Sequence, residues 1–226
     1  MPSTIAVLPV KSFGRAKQRL AAGVGAPERA TLAAAMVGDV LAALGDVQGL
    51  DGVIVVTGES RAAALARAEG ATVVDDPAEA GHSEAALLGV AAATVRGAGR
   101  VLLVPGDCPA LAPAEVGDLL ARDDARAAGA ARRVVIVSDR HGAGTNALLL
   151  TPPGTMAPSF GPGSLARHAA LARAAGADVR IAALRSLELD VDTPGDLAVL
   201  RTALADLPAA APRTRALLAQ LAPAAA

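Results

Sequence analysis

The stretch that most constrains the fold runs from Arg100 to Leu111, Arg-Val-Leu-Leu-Val-Pro-Gly-Asp-Cys-Pro-Ala-Leu, where an unbroken aliphatic run stops at a Pro-Gly turn carrying one carboxylate. An apolar run without polar alternation suits a strand covered on both faces, as in a parallel sheet. Such sheets bind ligands beyond the carboxyl ends of their strands. Asp107 stands at such an end, fixed between Pro105-Gly106 and Pro109, and is a candidate metal or nucleotide ligand. The alternative is that it stabilises the turn or caps a helix starting near Pro113.

The rest of the chain repeats a strand-helix rhythm. Ile5 to Val10 reads as a first, central strand. Pro27 to Leu44 reads as a helix, with Leu32, Met36, Val40 and Leu44 on one face. Val53 to Thr57 is a strand, Glu59 to Glu69 a helix ended by Gly70, and Ala71 to Val74 a strand closed by the turn residues Asp75-Asp76-Pro77. An Ala-rich helix running to about Arg96 starts at Ser83-Glu84, after a loop His82 that reads as a surface group or as a contact to a base or ribose. Helix Pro113 to Leu120 is followed by the mixed charges of Arg122 to Arg126, which read as solvated surface. Val134 to Ser138 is a strand, and Asp139-Arg-His-Gly-Ala-Gly-Thr-Asn turns the chain back, hairpin-like, into the apolar run Ala147 to Leu150. A helix over Leu165 to Ala175, a strand over Val179 to Leu184 and a helix from Pro194 complete the pattern.

The fold class predicted is α/β, with a mostly parallel central sheet flanked by helices. At 226 residues the chain suits one domain, taken as 1–207, followed by an Ala/Pro-rich tail, 208–226, with a short amphipathic segment near Leu217 to Leu221 and a frayed end. A composition that is 53% hydrophobic but 1% aromatic requires a core of Ala, Val and Leu and leaves little to stack on bases. A net charge of −1 offers no footprint for nucleic acid or an acidic membrane. The single Cys108 has no disulfide or zinc partner, and no apolar run reaches membrane-spanning length, so a cytoplasmic location is expected.

Several polar clusters carry possible chemistry. Lys11, Arg15, Lys17 and Arg19, with Gly14 among them, follow the first strand directly. There, a loop supplies cations and backbone N–H groups to a polyphosphate, the alternative being a solvated basic turn. Gly142 and Gly144 let the backbone approach a ligand, and Thr145 and Asn146 hydrogen-bond an anion without adding charge. Phe160-Gly-Pro-Gly-Ser precedes a helix, with Ser164 as the expected N-cap and free N–H groups as an anion site. Its spacing also matches G-x-G-x-x-A, but the prolines before it exclude the strand that a dinucleotide fingerprint requires, and no P-loop motif occurs. Asp190 and Asp192, two apart in an extended segment, share a face and could converge on one hard cation, unless Asp192 or Thr193 serves as a helix cap.

The basic loop after the first strand, Gly106-Asp-Cys-Pro after a central strand and a late Asp-Val-Asp-Thr-Pro resemble the nucleotidyltransferase fold of glycosyltransferase-A, Rossmann-like type. More narrowly, Leu8-Pro-Val-Lys, Ala16-Lys-Gln-Arg-Leu, Gly106-Asp-Cys-Pro, Asp139 to Asn146, Phe160-Gly-Pro-Gly-Ser and Leu189-Asp-Val-Asp-Thr-Pro, in that order, resemble the phosphoenolpyruvate/2-phospho-L-lactate guanylyltransferase family of coenzyme F420 biosynthesis. The resemblance implies that a phosphorylated three-carbon acid attacks the α-phosphorus of GTP and releases pyrophosphate. Phosphoenolpyruvate is the expected acceptor and 2-phospho-L-lactate the alternative. It implies Mg²⁺, two ions, held by Asp107, Asp190 and Asp192. It assigns acceptor contacts to Thr145, Gly161 and Ser164, and triphosphate contacts to Lys17 first, with Lys11 and Arg15 beside it. It is compatible with a homodimer and with passage of the product to a downstream F420-pathway transferase. At Gly81-His-Ser-Glu many members carry Gly-Leu-Asn, so no nucleotide contact transfers to His82 or Ser83. A molybdenum-cofactor nucleotidyltransferase and a nucleotide-binding module without catalysis are the rival readings.

Overall fold

The computed structural model describes residues 2–21, 23–126 and 129–221; the end of the tail, 222–226, lies outside the described residues. Seven strands form one sheet: β1 (Thr4–Pro9), β2 (Gly52–Thr57), β3 (Thr72–Asp75), β4 (Arg100–Leu103), β5 (Arg133–Ser138), β6 (Thr145–Thr151) and β7 (Asp178–Ala182), in the order β3-β2-β1-β4-β6-β5-β7. β1 lies parallel to β2 and β4, β2 to β3, and β5 to β7. β6 runs antiparallel to both β4 and β5, the hairpin-like return expected from the Asp139 to Asn146 turn. The result is the mostly parallel α/β sheet predicted, with β4 at its centre.

The inner strands are largely apolar because both faces are covered, whereas the edge strands β3 and β7 are only partly buried and carry Asp75, Asp178 and Arg180; the period of two sorts the side chains between the faces. Ala6, Leu8, Val55, Leu102, Val135 and Leu149 pack under α1 (Ala26–Gly45), α2 (Ser60–Ala68) and α4 (Pro113–Ala125). Ile5, Val7, Ile54, Val56, Leu103, Ile136 and Leu148 pack under α3 (His82–Val95) and α5 (Ser164–Ala174). Each aliphatic side chain buried in this way contributes roughly 1.5–3 kcal/mol. A Cβ on Gly89 would lie 2.2 Å from Val7 Cγ1, so only glycine lets α3 sit this close to β1.

Past β7 come a short α6 (Arg185–Glu188), then α7 (Pro194–Asp206) and α8 (Pro212–Gln220). The compositional tail thus carries α8, whose first turn is tied to α1: the Arg213 and Thr214 amides donate to the Asp39 carboxylate at 3.1 and 2.7 Å. Leu218 joins Leu32, Met36 and Leu200 in a third apolar cluster.

The reading of Arg122 to Arg126 as solvated surface is corrected by the structure. α4 continues to Ala125, and Asp123 is buried at the amino end of the sheet. Arg133 clamps it with two bonds of 3.0 Å, and Arg100, 1% exposed, reaches Asp123, Asp124 and Thr4 Oγ1 at 3.2, 3.0 and 2.8 Å. Two guanidinium groups at strand starts require a counter-charge once folding removes water, and the last turn of α4 supplies it. Burial alone would raise the Asp123 pKa, but the Arg133 and Arg100 bonds overcome this and hold it below the ordinary carboxylate value.

Candidate active site

At the carboxyl end of the sheet, the loop after β1 winds through two short 3-10 turns, Phe13–Arg15 and Gln18–Leu20, anchored by the buried Phe13 and Leu20. Glu59, the N-cap of α2, fixes its start by accepting from Ser12 Oγ and the Phe13 amide, both at 3.3 Å. Lys17, at φ +56°, links the two turns, and its ammonium points inward to Asp107 Oδ2 at 2.6 Å and Asp192 Oδ1 at 3.1 Å. Burial alone would lower the Lys17 pKa, but the two carboxylates overcome it and raise it, so the side chain stays charged. The loop, the Pro105-Gly106-Asp107 turn and the start of α3 enclose a cavity of about 400 Å³, lined also by Lys11, Arg15, Glu79 and His82. That volume suits a nucleotide-sized ligand. Arg15 forms an ion pair with Glu79 at this cavity.

Asp107 lies just past β4, as expected, and its carbonyl accepts from the Val191 amide at 3.1 Å, which brings the late acidic segment beside it. Thr193 caps α7 in a capping box with Asp196, whose Oδ2 also accepts from the Asp192 amide at 3.0 Å; Asp192 is free of capping duty. Asp190 accepts from Asn146 Nδ2 at 3.3 Å. Burial first, then the nearby Asp107 charge, raises the Asp190 pKa against that hydrogen bond. Asp107 and Asp192 therefore already converge on one cation, the Lys17 ammonium, and their hard oxygen donors fit a cation such as Mg²⁺. Among the described residues, no three His, Cys, Asp or Glu side chains gather closely enough to hold an ion. Cys108 is buried and its pKa rises well above the ordinary thiol value, from burial first and then from Asp107, so it is an inert packing residue.

The second half of the site is built around α5. Its N-cap is Gly163, in the left-handed region at φ +70°, not Ser164, which is the first helical residue and is buried. A capping serine would need extended backbone, whereas the chain enters this helix through a left-handed turn that glycine adopts without strain. Likewise α3 begins at His82 behind Gly81, one residue before the expected start, and the Ser83 hydroxyl accepts from the Phe160 amide at 2.9 Å. The Phe160 ring lies edge-on between His82, at 4.7 Å, and His168, at 5.1 Å. Arg167 holds the loop from below, donating to the Ser159 and Pro162 carbonyls. Thr145, at the start of β6, meets His168 Nδ1 at 3.0 Å, while the Leu165 amide donates to the Ala143 carbonyl at 3.2 Å. Thr145, Gly161 and Ser164 are thereby drawn to one place, and Asn146, next to Thr145, connects it to Asp190 and the acidic group.

Three contributors were not picked out from the sequence: Glu59, Phe160 as a ring between two imidazoles, and His168. Only His168 left a trace, because a spacing of four from Ser164 places both on one helical face.

Known proteins resemble this chain over most of its length. The family model described as "Guanylyl transferase CofC like" matches residues 4–202. The phosphoenolpyruvate guanylyltransferase of Conexibacter woesei is 51% identical over 97% of this chain and 96% of its own. The phosphoenolpyruvate guanylyltransferase of Sphaerobacter thermophilus is 38% identical over 86% of this chain and 91% of its own. Among solved structures, a Desulfovibrio desulfuricans G20 protein assigned as a nucleotide-diphospho-sugar transferase superposes with a TM-score of 0.73 at 18% identity, covering 97% of this chain and 95% of that one. CMP:2-keto-3-deoxy-manno-octonic acid synthetase complexed with CTP superposes with a TM-score of 0.60 at 15% identity, covering 91% and 99%. At these identities the structural likeness concerns the fold alone.

Proposed function

The chain belongs to the CofC-like guanylyl transferase family, and from that premise we propose that it condenses GTP with phosphoenolpyruvate to give enolpyruvoyl-2-diphospho-5'-guanosine and pyrophosphate, a step of coenzyme F420 biosynthesis. A phosphate oxygen of the acceptor forms a bond to the α-phosphorus of GTP, the bond from that phosphorus to the bridging oxygen breaks, and pyrophosphate leaves with the electron pair. The nucleophile is already an anion, so no protein base is needed. The work is to hold two anions in line and offset their repulsion.

The observation that carries this reading is the Lys17 ammonium, in the wall of a nucleotide-sized cavity, held between Asp107 and Asp192. In this reading Lys17 turns to the triphosphate when GTP enters, with Lys11 and Arg15 as further cations along the same wall. Asp107 and Asp192, with Asp190 beside them, would then hold Mg²⁺, whose charge offsets that of the phosphates. Thr145, Gly161 and Ser164 would receive the acceptor's carboxylate and phosphate. Among the described residues no helix is long and apolar enough to cross a membrane, and a cytoplasmic setting, where GTP and phosphoenolpyruvate are available, fits the reading.

Pyrophosphate release measured with GTP, phosphoenolpyruvate and Mg²⁺ tests it. Release should require all three, and Asp107→Asn should lower turnover at least about a hundredfold while the melting temperature holds. Release with 2-phospho-L-lactate but not with phosphoenolpyruvate would overturn the acceptor, and no release with either would overturn the reaction.

A further inference from the structure

His168 is buried with 0% exposure and has both ring nitrogens in use. Nε2 lies 2.8 Å from the Ser159 amide nitrogen and Nδ1 lies 3.0 Å from Thr145 Oγ1. A backbone amide only donates, so Nε2 must carry a lone pair. A neutral imidazole with an unprotonated Nε2 has its proton on Nδ1. Nδ1–H therefore donates to the Thr145 oxygen, and the hydroxyl's own proton is left to point elsewhere.

The direction of that last proton matters, because the acceptor presents only carboxylate and phosphate oxygens, which accept. A threonine that spent its proton on the imidazole would offer such an anion nothing but lone pairs. Resting on the reading of Thr145 as an acceptor contact, we propose that His168 is a positioning residue: it fixes the Thr145 hydroxyl as an obligate donor toward the anionic acceptor and, through the Ser159 amide, fixes the Gly161 to Ser164 loop in register with it. Two further observations agree. The Phe160 ring packs edge-on against His168, with the ring centres 5.1 Å apart. Burial first, then the neighbouring Arg167 charge, holds the His168 pKa down to about 4, so the ring stays neutral under working conditions and the Ser159 bond is kept.

The test uses the full chain with Thr145→Val, His168→Gln and the double variant. Glutamine offers an oxygen to the Ser159 amide but cannot also reach Thr145 as a donor. Thr145→Val and His168→Gln should each raise the KM for phosphoenolpyruvate roughly tenfold to a hundredfold, the span of a lost hydrogen bond to a charged group, with the GTP KM little changed. The double variant should be no worse than Thr145→Val alone, because the two residues act as one unit. If Thr145→Val raises that KM but His168→Gln does not, or if the two effects multiply, the proposal falls and the Thr145 contact stands. If Thr145→Val leaves that KM unchanged, the contact and the proposal fall together. Nitrogen-15 spectra of the wild-type imidazoles, resolvable because the chain has only 3 histidines, give an answer independent of any variant's folding. A proton on Nδ1 of His168 supports the proposal, and a proton on Nε2 overturns it.

Discussion

The two ends of the sheet both bury charge, and they treat it in opposite ways. At the amino end, Asp123 sits between Arg100 and Arg133, with Asp124 and Thr4 completing the bonds around Arg100, so that each charge has a partner. At the carboxyl end the three carboxylates Asp107, Asp190 and Asp192 face two cations: Lys17 lies on Asp107 and Asp192, which remain 28% and 42% exposed, Arg19 reaches Asp192 at 3.8 Å, and Asp190 has only the neutral Asn146 amide. A compensated cluster contributes to stability. An acidic group short of cations is costly in the unliganded protein and gains when further positive charge arrives, as expected of a site built to receive something.

Removing one charge from each end should break the comparison or sharpen it. Asp123→Asn leaves two buried guanidinium groups short of a carboxylate and should cost about 3–5 kcal/mol in urea unfolding, with turnover at low temperature close to wild type. Its acid behaviour has a definite sign. The folded-state pKa lies below the unfolded value, so the stabilisation is present above the ordinary carboxylate range and fades as pH falls toward the lowered value; the variant should lose that part of the acid limb. Lys17→Ala at the other end should weaken GTP binding or lower kcat roughly tenfold to a thousandfold, a loss of about 1.5–4 kcal/mol, with a smaller effect on unfolding. Unchanged kinetics would make Lys17 a structural counter-ion like Arg133.

The smallest effect should also be the most diagnostic. The Asp190 pKa is raised, so the folded protein holds that proton more tightly than the unfolded chain, and the ionised group costs stability once pH rises through its folded value. Asp190→Asn should therefore raise the melting temperature slightly at neutral pH in the absence of metal, while lowering turnover. A fall in melting temperature would mean that this carboxylate is as well compensated as Asp123, and the contrast between the two ends would vanish.

Much of this was legible from the chain alone, for physical reasons that are local. Continuous aliphatic runs at Val101 to Val104 and Ile54 to Val56 determine buried strands, because nothing else covers both faces of such a segment. The turn residues around Asp107 and the capping residues around Thr193 act within a few bonds of themselves, so Asp107 at a strand end could be read directly and the helix cap narrowed to Asp192 or Thr193. The basic density of residues 11–19 marked its loop for the same reason.

Tertiary structure decided whatever depends on partners distant in sequence. Asp123 looks like a surface charge until Arg100 and Arg133 arrive from the starts of two strands. His168 is one histidine in an Ala-rich helix until β6 brings Thr145 to one ring nitrogen and the loop brings the Ser159 amide to the other. In each case the side chain's chemistry is fixed by its type, but its charge compensation, burial and proton position are set by what packs against it. Contacts across tens of residues leave no periodicity in the sequence from which to read them.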